Sequence, residues 1–303
     1  MPKKKIHRTM LDELRNKPTK MYIEIHDKRV FYSELDLSGY EQFVISNEVL
    51  QQAVELIKDA WIAREHDNNA SYASEIERNF RLPFDRMYIE INTPEGIPMG
   101  FLVDRNDGFV RSVGTQFYGA SARVNKFQVN IKIDEDSGGI DTTHRDGLLV
   151  TPSELIGRPL TKTYGSEKAK ETYDYEIRGF QQDPDFEGIL DTMFSSAVKV
   201  VIGCVTLMNA RNGITRTVMP AIKPPAGAGK KTKREKSRSK FTVVSLSDVE
   251  QVDSEGKVTP RNLPSAHKVR GHFKRKKKGL YWWRPHVRGL GQLQEREAYV
   301  VKQ

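Results

Sequence analysis

Apolar and polar positions recur with two different periods along this chain. Between residues 47 and 64, Val49, Leu50, Ala53, Val54, Ile57, Ala60 and Trp61 fall at helical spacing and form one stripe, with Ser46 or Asn47 placed to cap it. Trp61 closes the stripe and is expected to pack in the core. A second helix is predicted from Asp183-Pro184, where Asp caps and Pro fills the first turn, to about Arg211, where Asn212-Gly213 stops it. Its second half is apolar almost all round, from Ala197 to Met208, as suits a central core helix. Cys204 lies within it and reads as a small hydrophobe rather than a nucleophile.

Elsewhere the period is two. Met21–Ile25 and residues 29–32 read as a hairpin around His26-Asp27-Lys28. Met87-Tyr-Ile-Glu-Ile91 repeats Met21-Tyr-Ile-Glu-Ile25, which suggests two strands with the same half-buried alternation, so Glu24 and Glu90 are both expected to face water. Further strands are predicted near residues 99–103, 109–117, 126–134, 173–180 and 241–246. In the third of these Phe127, Val129, Ile131 and Ile133 alternate with Gln128, Asn130 and Lys132, the pattern of a sheet with one wet face. The expected fold is α+β: a mostly antiparallel sheet packed on two main helices, with a basic C-terminal β-hairpin module. Residues 1–219 form the α+β body, 220–240 a basic flexible linker rich in Pro, Gly, Lys and Arg, and 241–303 the hairpin module.

Composition sharpens this division. The chain has 303 residues, a single cysteine and a net charge of +9. One cysteine excludes a disulfide framework and any multi-cysteine zinc site, and points to a reducing compartment. The start of the chain is basic with no apolar segment after it, so no signal peptide is expected. The most apolar stretch, around residues 189–208, carries Asp191 and Lys199 and suits a buried helix better than a membrane span. The charge is unevenly placed. Residues 223–303 hold 13 Lys and 8 Arg against 7 acidic residues, a balance of +14, which leaves −5 on the remaining 222 residues. A mildly acidic body with a strongly basic C-terminal quarter calls for a polyanion partner.

The terminal module carries the sharpest pattern. Residues 267–275 and 280–289 should form the two arms of a hairpin around Lys276-Lys277-Lys278-Gly279. If opposed residues share parity, the odd positions (Val269, Phe273, Tyr281, Trp283, Val287) make an apolar face that docks on the body. The even positions (Arg270, His272, Lys274, Trp282, Arg284, His286, Arg288) then make a cationic face bearing one indole. Because a register shift of one residue would scramble both faces, this assignment depends wholly on the turn. No Asp or Glu occurs from Gly256 to Gln294, while 11 Lys and Arg do. Arg270, Arg284 and Arg288 can fork onto phosphates, Trp282 can stack on an unpaired base, and Lys276, Lys277 and Lys278 add nonspecific attraction. DNA or RNA is the expected partner; no cofactor and no metal are expected.

The segments Val269-Arg-Gly-His-Phe, Gly279-Leu-Tyr-Trp-Trp and Pro285-His-Val-Arg-Gly289 resemble a C-terminal signature of proteins encoded by bacteriophages and prophages. Leu82-Pro-Phe-Asp-Arg-Met-Tyr-Ile-Glu90, the helix end near Leu207-Met-Asn-Ala and the Lys/Arg-rich stretch before the last module belong to the same pattern. The resemblance implies a viral origin and the cytoplasm of a bacterial host. It transfers no activity and no catalytic residue.

The leading expectation is therefore a non-enzymatic, nucleic-acid-binding accessory protein of a phage, acting in replication, regulation or host take-over. Two rivals stand beside it. His272 and His286, if they face each other beside arginines, could cleave RNA without a metal, one imidazole as base and the other as acid. Alternatively the acidic body could bind and block a host protein. The carboxylate-rich run from Asp134 to Asp141, with His144 and Asp146, lacks the spacing of a calcium loop and reads as a solvated turn. No Walker loop, dinucleotide-binding glycine pattern, zinc-protease helix or hydrolase nucleophile elbow is present, and Ala226-Gly-Ala-Gly229 is only a weak phosphate-loop candidate.

Overall fold

The computed structural model describes residues 9–15, 21–25, 28–31, 37–66, 70–92, 97–118, 121–149, 179, 182, 184–210, 214–223, 226–227, 239–246, 267–269, 272–276, 279–283 and 286–288. All of the predicted strand at 173–180 except Gly179, the helix stop at Asn212-Gly213 and most of the linker lie outside them.

The fold is α+β, as the patterns require. Ten strands form one mixed, mostly antiparallel sheet. They are β1 (Met21–Ile25), β2 (Lys28–Phe31), β3 (Glu41–Ile45), β4 (Arg86–Asn92), β5 (Pro98–Asn106), β6 (Phe109–Tyr118), β7 (Ser121–Ile133), β8 (Ile140–Leu149), β9 (Ile214–Met219) and β10 (Phe241–Leu246). Their order is β2-β1-β7-β6-β5-β4-β3-β10-β9, with β8 also paired to β7. The meander from β4 to β7 is antiparallel. The two-residue turn between β5 and β6, Asp107-Gly108, has φ of 48° and 78°, left-handed geometry suited to a two-residue hairpin loop. Three pairings are parallel, β1 with β7, β3 with β4 and β3 with β10. A parallel pair needs a long crossover. Between β3 and β4 it is supplied by α2 (Asn47–His66) and α3 (Ala70–Asn79).

Alternation along the strands sorts side chains onto two covered faces. Met87, Ile89, Val103, Val110, Val129 and Ile131 join the apolar stripe of α2, α3 and the long helix α4 (Phe186–Asn209) in the larger core. Tyr88, Leu102, Val113 and Val124 face the other way, onto α1 (Met10–Arg15) through Leu11 and Leu14. The second face is thus not the wet one expected: Gln128 and Asn130 are 7% and 5% exposed, and the Gln128 amide donates to Asn130 Oδ1 at 2.6 Å.

Both main helices follow their sequence signals with small shifts. Ser46 Oγ accepts from the Val49 amide, 3.4 Å away, and so caps α2. Trp61 packs at the core margin with the Lys199 ammonium 5.6 Å from its ring centre. The N-cap of α4 is Asp185, not Asp183, and its side chain makes no capping bond. This helix widens to a π-helical turn at Val198–Ile202 and ends at Asn209. It is the one helix among the described residues long and apolar enough to cross a membrane by length and composition. Here its second half is buried against α2, with Gly203 so close that an added Cβ would lie 2.5 Å from the Ala53 carbonyl oxygen.

The expected boundary before residue 241 does not divide the sheet. β10 lies between β3 and β9, with ladders on both sides, so residues 241–246 are an inner strand of the body. The apolar run Phe241-Thr-Val-Val explains it: Phe241 and Val244 are fully buried.

Candidate nucleic-acid interface

The C-terminal hairpin exists, with a different register from the one expected. Strands β12 (His272–Lys276) and β13 (Gly279–Trp283) pair antiparallel, and β11 (His267–Val269) pairs with β14 (His286–Arg288) beyond them. Lys276 faces Gly279 across the ladder, leaving Lys277-Lys278 as a two-residue connection. The arms therefore pair even positions with odd ones: His272 with Trp283, Phe273 with Trp282, Lys274 with Tyr281 and Val269 with His286. A shift of one in the turn reverses one arm relative to the other.

Two corrections follow. Trp282 does not stand on an outward cationic face. It is 4% exposed and belongs to the same apolar core as α2, α4 and the strands of the sheet. A large apolar indole opposite Phe273 gains more from burial than from water. Trp282 is thus an anchor of the hairpin and not a stacking platform. Nor do the two histidines face each other, since His272 pairs with Trp283 and His286 with Val269. The arrangement required for paired acid–base cleavage is missing from the ladder.

Of the other expected contacts, Lys274, Lys276, His286 and Arg288 lie on described strand backbone, while Arg270, Lys277, Lys278 and Arg284 lie outside the described residues. No family model, no curated protein and no solved structure matches this chain.

The remaining candidates resolve into structure. Asp134–Asp141 closes the β7–β8 connection: Asp134 accepts from the Ser137 hydroxyl at 2.5 Å and the Asp136 amide at 3.2 Å. These bonds hold its carboxyl below the usual range. The turn docks beside the end of α3, where Arg81, two residues beyond the helix, donates to the Ser137 carbonyl at 2.7 Å. Among the described residues no group of three His, Cys, Asp or Glu side chains could hold a metal. Burial pushes the Cys204 thiol up to about 12, which leaves it an unreactive apolar filler.

One polar site was missed by the sequence reading. Glu90 does not face water; it is 8% exposed, on an inner strand beneath α1. Its Oε2 accepts from the Met10 amide at 2.7 Å and from the Tyr88 hydroxyl at 3.3 Å. The Thr9 hydroxyl donates to Gln42 Oε1 and accepts from the Asp12 amide, which caps α1. Asp12 Oδ2 accepts from the Ser239 amide at 2.8 Å. Gly100 lies across from Glu90, and a Cβ there would sit 2.5 Å from the Tyr88 ring and hydroxyl, so glycine makes the room that Tyr88 fills.

Proposed function

We propose that this protein binds DNA or RNA by its phosphate backbone, through the basic C-terminal quarter held on an α+β body. The observation that carries the reading is the charge division, +14 over residues 223–303 against −5 on the rest. Within that basic quarter, residues 256–294 hold 11 Lys and Arg and no Asp or Glu, and cations so concentrated bind polyanions by releasing counterions. Arg270, Arg284 and Arg288 supply bidentate phosphate contacts, and His272, Lys274, Lys276, Lys277, Lys278 and His286 add further donors. Burial of Trp282 counts against the outward cationic, indole-bearing face: it removes base stacking by this residue, and the reading then rests on phosphate contacts by the basic residues alone. The resemblance to phage and prophage proteins adds only a setting, a viral origin and a bacterial cytoplasm; an accessory role in replication, regulation or host take-over is part of the proposal itself.

Filter binding at low salt, with single- and double-stranded DNA and RNA, tests this. Binding is expected, and Arg270→Ala, Arg284→Ala and Arg288→Ala should each weaken it by about 1.5–3 kcal/mol where the arginine contacts a phosphate. Absence of binding to all four probes would overturn the reading. Cleavage of labelled RNA in EDTA, abolished by His272→Ala, would replace it with a nuclease.

A further inference from the structure

The sheet face opposite the long helices holds a buried node where four chain segments meet. Strand β4 supplies Glu90 and Tyr88, β3 supplies Gln42, α1 supplies Thr9, Met10 and Asp12, and the chain entering β10 supplies the Ser239 amide. The two carboxylates each hold a main-chain N–H of a different segment: Glu90 takes Met10, and Asp12 takes Ser239. Residues 227 positions apart in sequence are so tied to one point.

Among the described residues, no group facing Glu90 balances a charge on it. From α1 comes Asp12, a second acid, and from β4 itself comes the Tyr88 phenol. At the pairing positions β3 offers Val44 and β5 offers Gly100, neither ionisable. The entry to β10 offers an amide, and Lys240 after it is exposed. A carboxylate here loses most of its hydration and meets another negative charge.

We propose that Glu90 is a proton-operated clasp: with its carboxyl neutral, α1 and the entry to β10 are held on the sheet, and ionisation loosens both together. The inference is independent of nucleic-acid binding. Burial pushes the Glu90 carboxyl up to about 7; the Asp12 charge adds to this, while the Met10 and Tyr88 bonds oppose it. The ionised form regains water only if α1 lifts away. Because the folded state holds the proton more tightly than the unfolded one, the clasp is firm below neutrality and weak above it.

Hydrogen exchange on the full chain tests the clasp. Protection of the amides in Met10–Arg15 and at Ser239, corrected for intrinsic rates, should fall roughly 10- to 100-fold between about pH 5.5 and about pH 8.5. Glu90→Gln, which keeps an acceptor but no proton to lose, should show no such fall. An equal fall in Glu90→Gln, or no fall in the native protein, would overturn the proposal. Two readouts do not depend on that variant folding. The infrared band of a buried protonated carboxyl should titrate out near neutrality in the native protein, and Tyr88→Phe, which removes a bond to the charged form, should move its midpoint upward. Absence of the band, or a midpoint unmoved in Tyr88→Phe, would also sink it.

Discussion

Glu24 and Glu90 occupy the same place in the same pentapeptide, Met-Tyr-Ile-Glu-Ile, and have opposite fates. Glu24 sits on β1, beside edge strand β2, and pairs with Arg123 at 2.9 Å near solvent. Glu90 sits on an inner strand under a helix. Local sequence cannot separate these cases, because the difference is made by α1, which arrives from 80 residues away. Glu24→Gln should change stability by less than about 1 kcal/mol, as for other exposed pairs, measured by urea denaturation. For Glu90 the sign differs from an ordinary paired carboxylate. As pH rises from about 4.5 to about 7 the unfolded chain releases this proton first, so its contribution should lower global stability by about 3 kcal/mol and then level off. Urea midpoints of the native protein and Glu90→Gln should therefore diverge across that range and run parallel above it.

At the scale of elements, the two main helices and the meander of long strands were legible because their periodicity is strong. α1, α3, β3 and β9 were not, being short or weakly patterned, and β8 was missed because it opens inside the carboxylate-rich run read as a turn, so Asp141, His144 and Asp146 lie on a strand. The hairpin was legible as a pair of strands but not in register. A four-residue loop over Lys276–Gly279 and a two-residue loop over Lys277-Lys278 both set Arg275 opposite Leu280; only a loop of three or five residues would pair equal parities, so the parity of the loop decides whether Trp282 shares a face with the even-numbered residues of the first arm. Trp282→Ala should cost about 3–5 kcal/mol as a core truncation, seen in chemical denaturation, whereas a surface indole would cost little. The contact of α2 with α4 offers a second test. Gly203→Ala improves helix propensity by about 1 kcal/mol, yet its Cβ would press on the Ala53 backbone, so net destabilisation of about 1–3 kcal/mol is expected from thermal unfolding.

The molecule as a whole sets an acidic body against a basic end, and this polarity was readable from composition alone. With roughly five to eight phosphates engaged, log affinity should fall against log salt with a slope of about −4 to −7, and each phosphate-contacting Lys or Arg removed should flatten it by about one unit. Fluorescence anisotropy across a salt series measures this directly. A slope near zero would mean that the basic quarter serves its own body.

The place of β10 has a consequence for how this chain is made. An inner strand that pairs with β3 and β9 is not synthesised until residue 246. On the ribosome, β3 can pair with β4 but must wait with its other edge open while about 150 further residues are added. The body closes only when a strand inside the basic quarter has emerged, so a nascent chain stalled before that point presents an open strand edge to chaperones and proteases. The last piece of the sheet to be delivered is also the tether of the hairpin, and a truncated product would lose the fold together with the cationic end.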